Sequence, residues 1–89
     1  MLEPSRKKTL DAIRRIEGLT KKLRGSVEAG VYCPQILELV LAIQGHIDYI
    51  QATVLESHLK TCAPRELASK RHKDKFVAEL LRVIGLSKR

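Results

Sequence analysis

The 89-residue chain has no tryptophan and only three aromatic residues, Tyr32, Tyr49 and Phe76, so its 44% hydrophobic content is carried mostly by Leu, Ile, Val and Ala. That is the composition of a helical bundle. Long hydrophobic runs are also missing. The longest, Ile36–Ile43, is interrupted by Glu38 and falls far short of the ~20 residues that span a bilayer, and the N-terminus has no signal-peptide pattern. These absences imply no membrane association and a cytoplasmic location. With only two cysteines, in a reducing compartment, the thiols point to metal or redox chemistry more than to a structural disulfide. There is no glycine-rich phosphate loop, no HExxH motif, no acid or base placed beside a nucleophile, and no internal repeat. The chain is therefore expected to be a non-enzyme. Its length allows one domain, residues 1–89, with a modest core that association would enlarge.

What is present is positive charge. A formal +7 and a pI near 9.8 favour an anionic partner, nucleic acid ahead of a membrane surface. The first helix is expected from about Pro4 and Ser5 to Ala29, ended by Gly30, with Leu10, Ile13, Ile16, Leu23 and Val27 on its apolar side. Along it the pairs Lys7–Lys8, Arg14–Arg15 and Lys21–Lys22 recur every seven residues. Seven residues miss two full turns by about 20°, so the pairs stack into one stripe. The stripe suits a DNA phosphate backbone. It equally suits an ordinary solvated face, since Asp11, Glu17 and Glu28 are interspersed.

A second, longer helix is expected from about Pro34 to Cys62, with Cys33 at its N-cap. Pro34 fits a first helical turn, and Pro64 biases Ala63 away from helix. Ile36, Val40, Ile43, Ile47, Ile50 and Val54 make a heptad seam for another helix. Gly45 is its weak point, at about 1 kcal/mol relative to Ala. His58 and Cys62, four residues apart, share a face and can reach one ion. Cys33 lies 25 residues before His58, about 37 Å along a straight helix. The two cannot meet within one chain, whereas an antiparallel second copy would bring Cys33 of one subunit to His58 and Cys62 of the other at both ends. A thiol at a helix N-terminus is also favoured as thiolate, although a small buried hydrophobe is another common fate for a free cysteine. Two thiolates and an imidazole form a soft three-coordinate set suited to Cu(I), while Zn(II) would want a fourth ligand; neither His46 nor His72 is spaced to supply one. A charged connector, Arg65–Lys75, leads to a short amphipathic helix from Asp74 in which Phe76, Val77, Leu80, Leu81 and Ile84 should face inward. The basic residues of the connector, Lys70, Arg71, Lys73 and Lys75, suit a solvated connector more than an extension of an anion-binding face. The fold class is thus all-α, three helices per chain with one long central helix, and no helix-turn-helix.

Arg14–Gly18 (RRIEG), Cys33 and His58–Cys62 (HLKTC) together resemble the copper-sensitive operon repressor (CsoR-like) family of small helical bacterial regulators, over about Thr9 to Leu81. The resemblance implies a Cu(I) site between subunits at Cys33, His58 and Cys62. It implies an antiparallel homodimer with a four-helix core, assembling to a dimer of dimers, a homotetramer. It also implies binding to double-stranded operator DNA in the apo form and release on metal binding. Tyr32 and Glu79 match positions that couple metal to DNA. Relatives sensing persulfides lack the histidine, so His58 with Cys62 favours copper. The departures lie on the DNA side: Ala12 and Tyr49 stand where arginines are common, Leu19 where Gln is usual, and no Lys or Arg occurs between Pro34 and Leu59. Two other readings keep the helices: a repressor sensing sulfur species through Cys33 and Cys62, or a copper-binding helical oligomer without specific DNA recognition.

Overall fold

The computed structural model describes residues 1–61, 63–66, 68 and 70–87. Helix α1 spans Glu3–Glu28, α2 Cys33–Thr61, α3 Ala63–Glu66 and α4 Lys70–Ser87, and no strand occurs among the described residues. The fold is all-α, three long helices with the longest in the centre and one helical turn linking the second to the third.

Local chemistry explains the boundaries. Pro4 sits in the first turn of α1, where a missing N–H costs nothing, and Glu3 places negative charge at the positive end of the helix dipole. At the other end Gly30 takes φ +69°, its N–H donating to the Val27 carbonyl at 3.1 Å while the Val31 N–H donates to the Ser26 carbonyl at 3.0 Å. This Schellman arrangement satisfies the last carbonyls and turns the chain back. Helix α2 runs unbroken through Gly45. Cys33 is its first residue rather than an N-cap, and the Gln35 N–H donates to the Tyr32 carbonyl at 3.0 Å. Cys62, expected to end this helix, lies outside the described residues. Pro64, expected only to stop a helix, instead sits in the first turn of α3, the position where proline is pre-organised for helix. The last helix starts four residues earlier than expected, at Lys70, because the charged residues Arg71, Lys73, Asp74 and Lys75 carry no helix breaker among them.

Helices α1 and α2 form an antiparallel hairpin. Its start is tied by the Leu2 N–H, which donates to Ser57 Oγ at 2.9 Å across 55 residues. The expected apolar side of α1 is corrected here. Thr9 and Ala12 are buried and Ile16, Leu19, Leu23 and Ser26 half-buried, a clean three-and-four spacing, whereas Leu10, Ile13 and Val27 are exposed. The reason is steric. Opposite the α1 start, α2 buries Thr53 and Ser57, and small side chains on both helices permit a close approach that leucines would block. The seam of α2 is divided likewise: Ile36, Val40, Ile43, Ile50 and Val54 are half-buried, but Ile47 is exposed, as are Leu37 and Leu41 beside it.

The chain measures 56 × 29 × 14 Å. Fourteen ångströms is little more than the ~10–12 Å width of one helix, so the helices lie in a single layer. Only Ala12 and Phe76 are buried hydrophobics among the described residues. The accessible surface is 7181 Å², against roughly 5,200 Å² for a compact monomer of 10.0 kDa. Stable domains normally bury apolar faces between two layers, and this chain supplies one.

Candidate metal centre and basic face

The two ligand candidates that the structure describes occupy opposite ends of one straight helix. Cys33, in the first turn of α2, is an exposed free thiol. His58, in the last turn, is half-buried, and its imidazole stacks on the Phe76 ring of α4 with centroids 5.0 Å apart and planes inclined by 23°. No hydrogen bond or ion pair engages either His58 nitrogen among the described residues. At ~1.5 Å per residue the two positions are about 37 Å apart along α2. Among the described residues no three metal-binding side chains gather in one place. Within a single chain, then, Cys33 and His58 stay apart, and among the described residues neither has another metal-binding side chain beside it.

Angular position on α2 relates them. At 100° per residue, Cys33, Leu37, Val40, Leu41, Ile47 and His58 fall within one side of the helix, while Ile43, His46, Ile50, Thr53 and Ser57 fall toward α1. The side bearing Cys33 and His58 is therefore the side that α1 leaves open. The donors fit a soft metal ion: an accessible thiol at the positive end of a helix dipole, and an imidazole whose ring nitrogens make no hydrogen bond among the described residues.

Tyr32, just before α2, is 73% exposed, and only its backbone carbonyl is engaged. Glu79 lines the same cavity as His58, a largely apolar space of about 520 Å³ between the end of α2 and α4, together with Val54, Leu80 and Arg82. No hydrogen bond joins Glu79 to His58 among the described residues. The inward set expected for α4 is corrected: Phe76 is buried and Leu80 half-buried, but Val77 and Leu81 face solvent, because α4 turns its Phe76–Glu79–Leu80–Val83 side toward α2. The side chain of Ile84 lies outside what is described.

Lys7, Lys8, Arg14, Arg15, Lys21 and Lys22 are all exposed along α1. They form two rows. The Lys8–Arg15 row borders α2, where Lys8, Asp11, Ala12, Arg15, His46 and Tyr49 line a groove of about 270 Å³. Ala12 and Tyr49, the two departures from expected arginines, thus face one groove. No ion pair within 4.0 Å holds Lys8 or Arg15 among the described residues, although Lys8 lies close enough to Glu56 to help lower its pKa. That shift is caused first by Lys60, whose Nζ donates to Glu56 Oε1 at 2.8 Å.

Residues 5–85 match the family described as metal-sensitive transcriptional repressor. The chain belongs to that family. The open helix face and the basic first helix are therefore features of a metal-sensitive transcriptional repressor, a family that acts on DNA. The repressor is also 28% identical over 78 residues, 88% of its own length and 86% of the relative's, to a Serratia marcescens protein described as an uncharacterized protein in the bioA 5' region. No solved structure matches it. Among the described residues no helix is long and apolar enough to cross a membrane.

One contact of this region has no signal in the sequence. Phe76 is separated from His58 by 18 residues and a connector, so no periodicity links them. His46, mid-helix and not spaced to reach the candidate ligands, is half-buried in the basic groove.

Proposed function

We propose that this repressor responds to Cu(I): without metal it holds operator DNA, and it releases the DNA when Cu(I) binds between two copies of the chain. Cys33 of one copy binds together with His58 and Cys62 of the other, at both ends of an antiparallel pair. The observation that carries this reading is the placement of a free Cys33 thiol and a His58 imidazole, its nitrogens without a hydrogen bond among the described residues, at the two ends of one 29-residue helix, on its open side. A single layer of helices supports a dimer with a four-helix core, because pairing supplies the missing second layer. It further supports stacking of dimers into a homotetramer, since Leu10 and Ile13 of α1 stay exposed on another side.

Bound Cu(I) would supply a fixed link between subunits, which a thiolate and imidazole set favours over Zn(II). The chain's own residues do the rest. Cys33 and His58 present the donors, Tyr32 and Glu79 stand beside them on either end, and the two rows of Lys7, Lys8, Arg14, Arg15, Lys21 and Lys22 hold DNA phosphates. Resetting two rods changes the spacing between the stripes of paired subunits, and DNA contacts that depend on that spacing weaken. A coupling of about 1–3 kcal/mol, or roughly 5–150-fold in DNA affinity, is the usual size for such linkage.

The test is anaerobic Cu(I) titration of wild type and His58→Ala under a competing chelator, with binding to DNA from upstream of the gene compared with scrambled DNA. One tight Cu(I) per subunit, weakened in the variant and releasing only the upstream DNA, is the expected result. DNA affinity indifferent to Cu(I) would overturn the reading. The exposure of the Cys33 thiol also suits a sulfur-sensing repressor. In that case His58→Ala leaves the response to persulfide intact.

A further inference from the structure

Histidines that bind metals are usually oriented by a hydrogen bond from the ring nitrogen that does not ligate. His58 has none among the described residues. What it has is Phe76, 4% exposed, lying against the flat of its ring at 5.0 Å and 23°. Face-on stacking blocks rotation of the imidazole out of its plane and leaves the ring edge, where both nitrogens point, unobstructed. Phe76 is also the single buried hydrophobic that α4 offers among its described side chains, and the 520 Å³ cavity beside the ring pair shows how little else fills the space between α2 and α4. No Cα of α4 comes within 8 Å of one in α2 among the described residues, so the two helices meet through side chains.

We infer that Phe76 is a positioning residue for the metal site: it sets the plane of the His58 imidazole, and through that ring pair α4 is docked to the ligand-bearing end of α2. The inference rests on the reading of His58 as a ligand. Linkage then requires a reciprocal effect. If docked α4 pre-orients His58 and so favours the metal, the bound metal must favour docked α4 by the same factor. Metal occupancy is thereby reported to a helix that carries no ligand, through one aromatic contact.

The test uses the full chain with Phe76→Leu, which removes the ring but keeps apolar bulk, and Phe76→Tyr, which keeps the ring. Three quantities are read: the His58 ring proton shifts in the metal-free protein, Cu(I) affinity under a competing chelator, and amide exchange of α4 with and without Cu(I). Phe76→Leu is expected to move the His58 resonances as the ring current is lost, to weaken Cu(I) binding by about 3–10-fold, and to abolish the slowing of α4 exchange that Cu(I) produces in wild type. Phe76→Tyr restores all three. Should Leu lower the helical signal, Phe76→Met serves in its place. Wild-type Cu(I) affinity in Phe76→Leu, or equal weakening in Phe76→Tyr, overturns the inference while leaving the metal reading standing. A His58→Ala variant that binds Cu(I) as tightly as wild type overturns both.

Discussion

The two ends of α2 carry the two kinds of candidate ligand and are built differently. At the start, Cys33 follows an exposed Tyr32 and is itself an exposed thiol. At the finish, His58 is stacked by Phe76, Ser57 next to it is 1% exposed, and the chain's own N-terminus is pinned there through the Leu2 N–H. One end is finished within the subunit, and the other is a bare donor. A site shared between copies divides its labour in this way when one half must be pre-oriented and the other must travel, since only the half completed in the monomer can have its orientation held before association.

The largest effect should come from the bare end. Cys33→Ser removes the exposed candidate ligand, so if the proposed site holds, Cu(I) affinity should fall by about 100-fold or more, exceeding the loss typical of outer contacts, with helical content by circular dichroism unchanged. A fall in thermal stability of the metal-free protein would show that this end is not bare after all.

Because the hairpin is antiparallel, Lys8 lies toward the finished end of α2, Arg15 beside its middle, and Lys21 with Lys22 toward the bare end. Replacing either pair with Ala should flatten the dependence of log affinity on log salt by about 2, one step of roughly 0.9 per lost phosphate contact. An effect confined to Lys8 and Arg15 would sharpen the contrast, placing DNA at the groove alone.

Ser57→Ala tests the finished end without touching a ligand. It leaves the Leu2 N–H without its acceptor, so the protein should lose about 1 kcal/mol, seen as a melting temperature roughly 4–8 °C lower. Unchanged melting would mean that water serves the N–H as well.

The smallest effect belongs to Glu56, exposed and hydrogen-bonded to Lys60, which holds its carboxyl below the usual carboxylate range. A depressed pKa contributes stability above the ordinary carboxylate range, and that contribution is lost as pH falls through the folded value. The melting temperatures of wild type and Glu56→Gln should therefore differ slightly near neutrality and converge in acid.

Much of this could be read in the chain. The 26 and 29 residues of α1 and α2 follow from periodicity, Pro4, Gly30 and Pro34, and the opposition of Cys33 and His58 follows from helix rise alone. The apolar assignments fared less well at Leu10, Ile13, Ile47, Val77 and Leu81, all exposed. Periodicity identifies a side with apolar residues but does not say which of two such sides a neighbour covers.

Local sequence therefore determined the helices, their ends and the placement of one candidate ligand at each end of the central rod, because capping, helix rise and spacing act over a few residues. Tertiary structure decided which faces close. Thr9, Ala12, Thr53 and Ser57 let α1 approach α2 on their side, since small side chains allow the backbones nearest contact. The turn at α3 brought Phe76 to His58, a meeting across 18 residues that depends on the path of the chain and that neither residue encodes by itself.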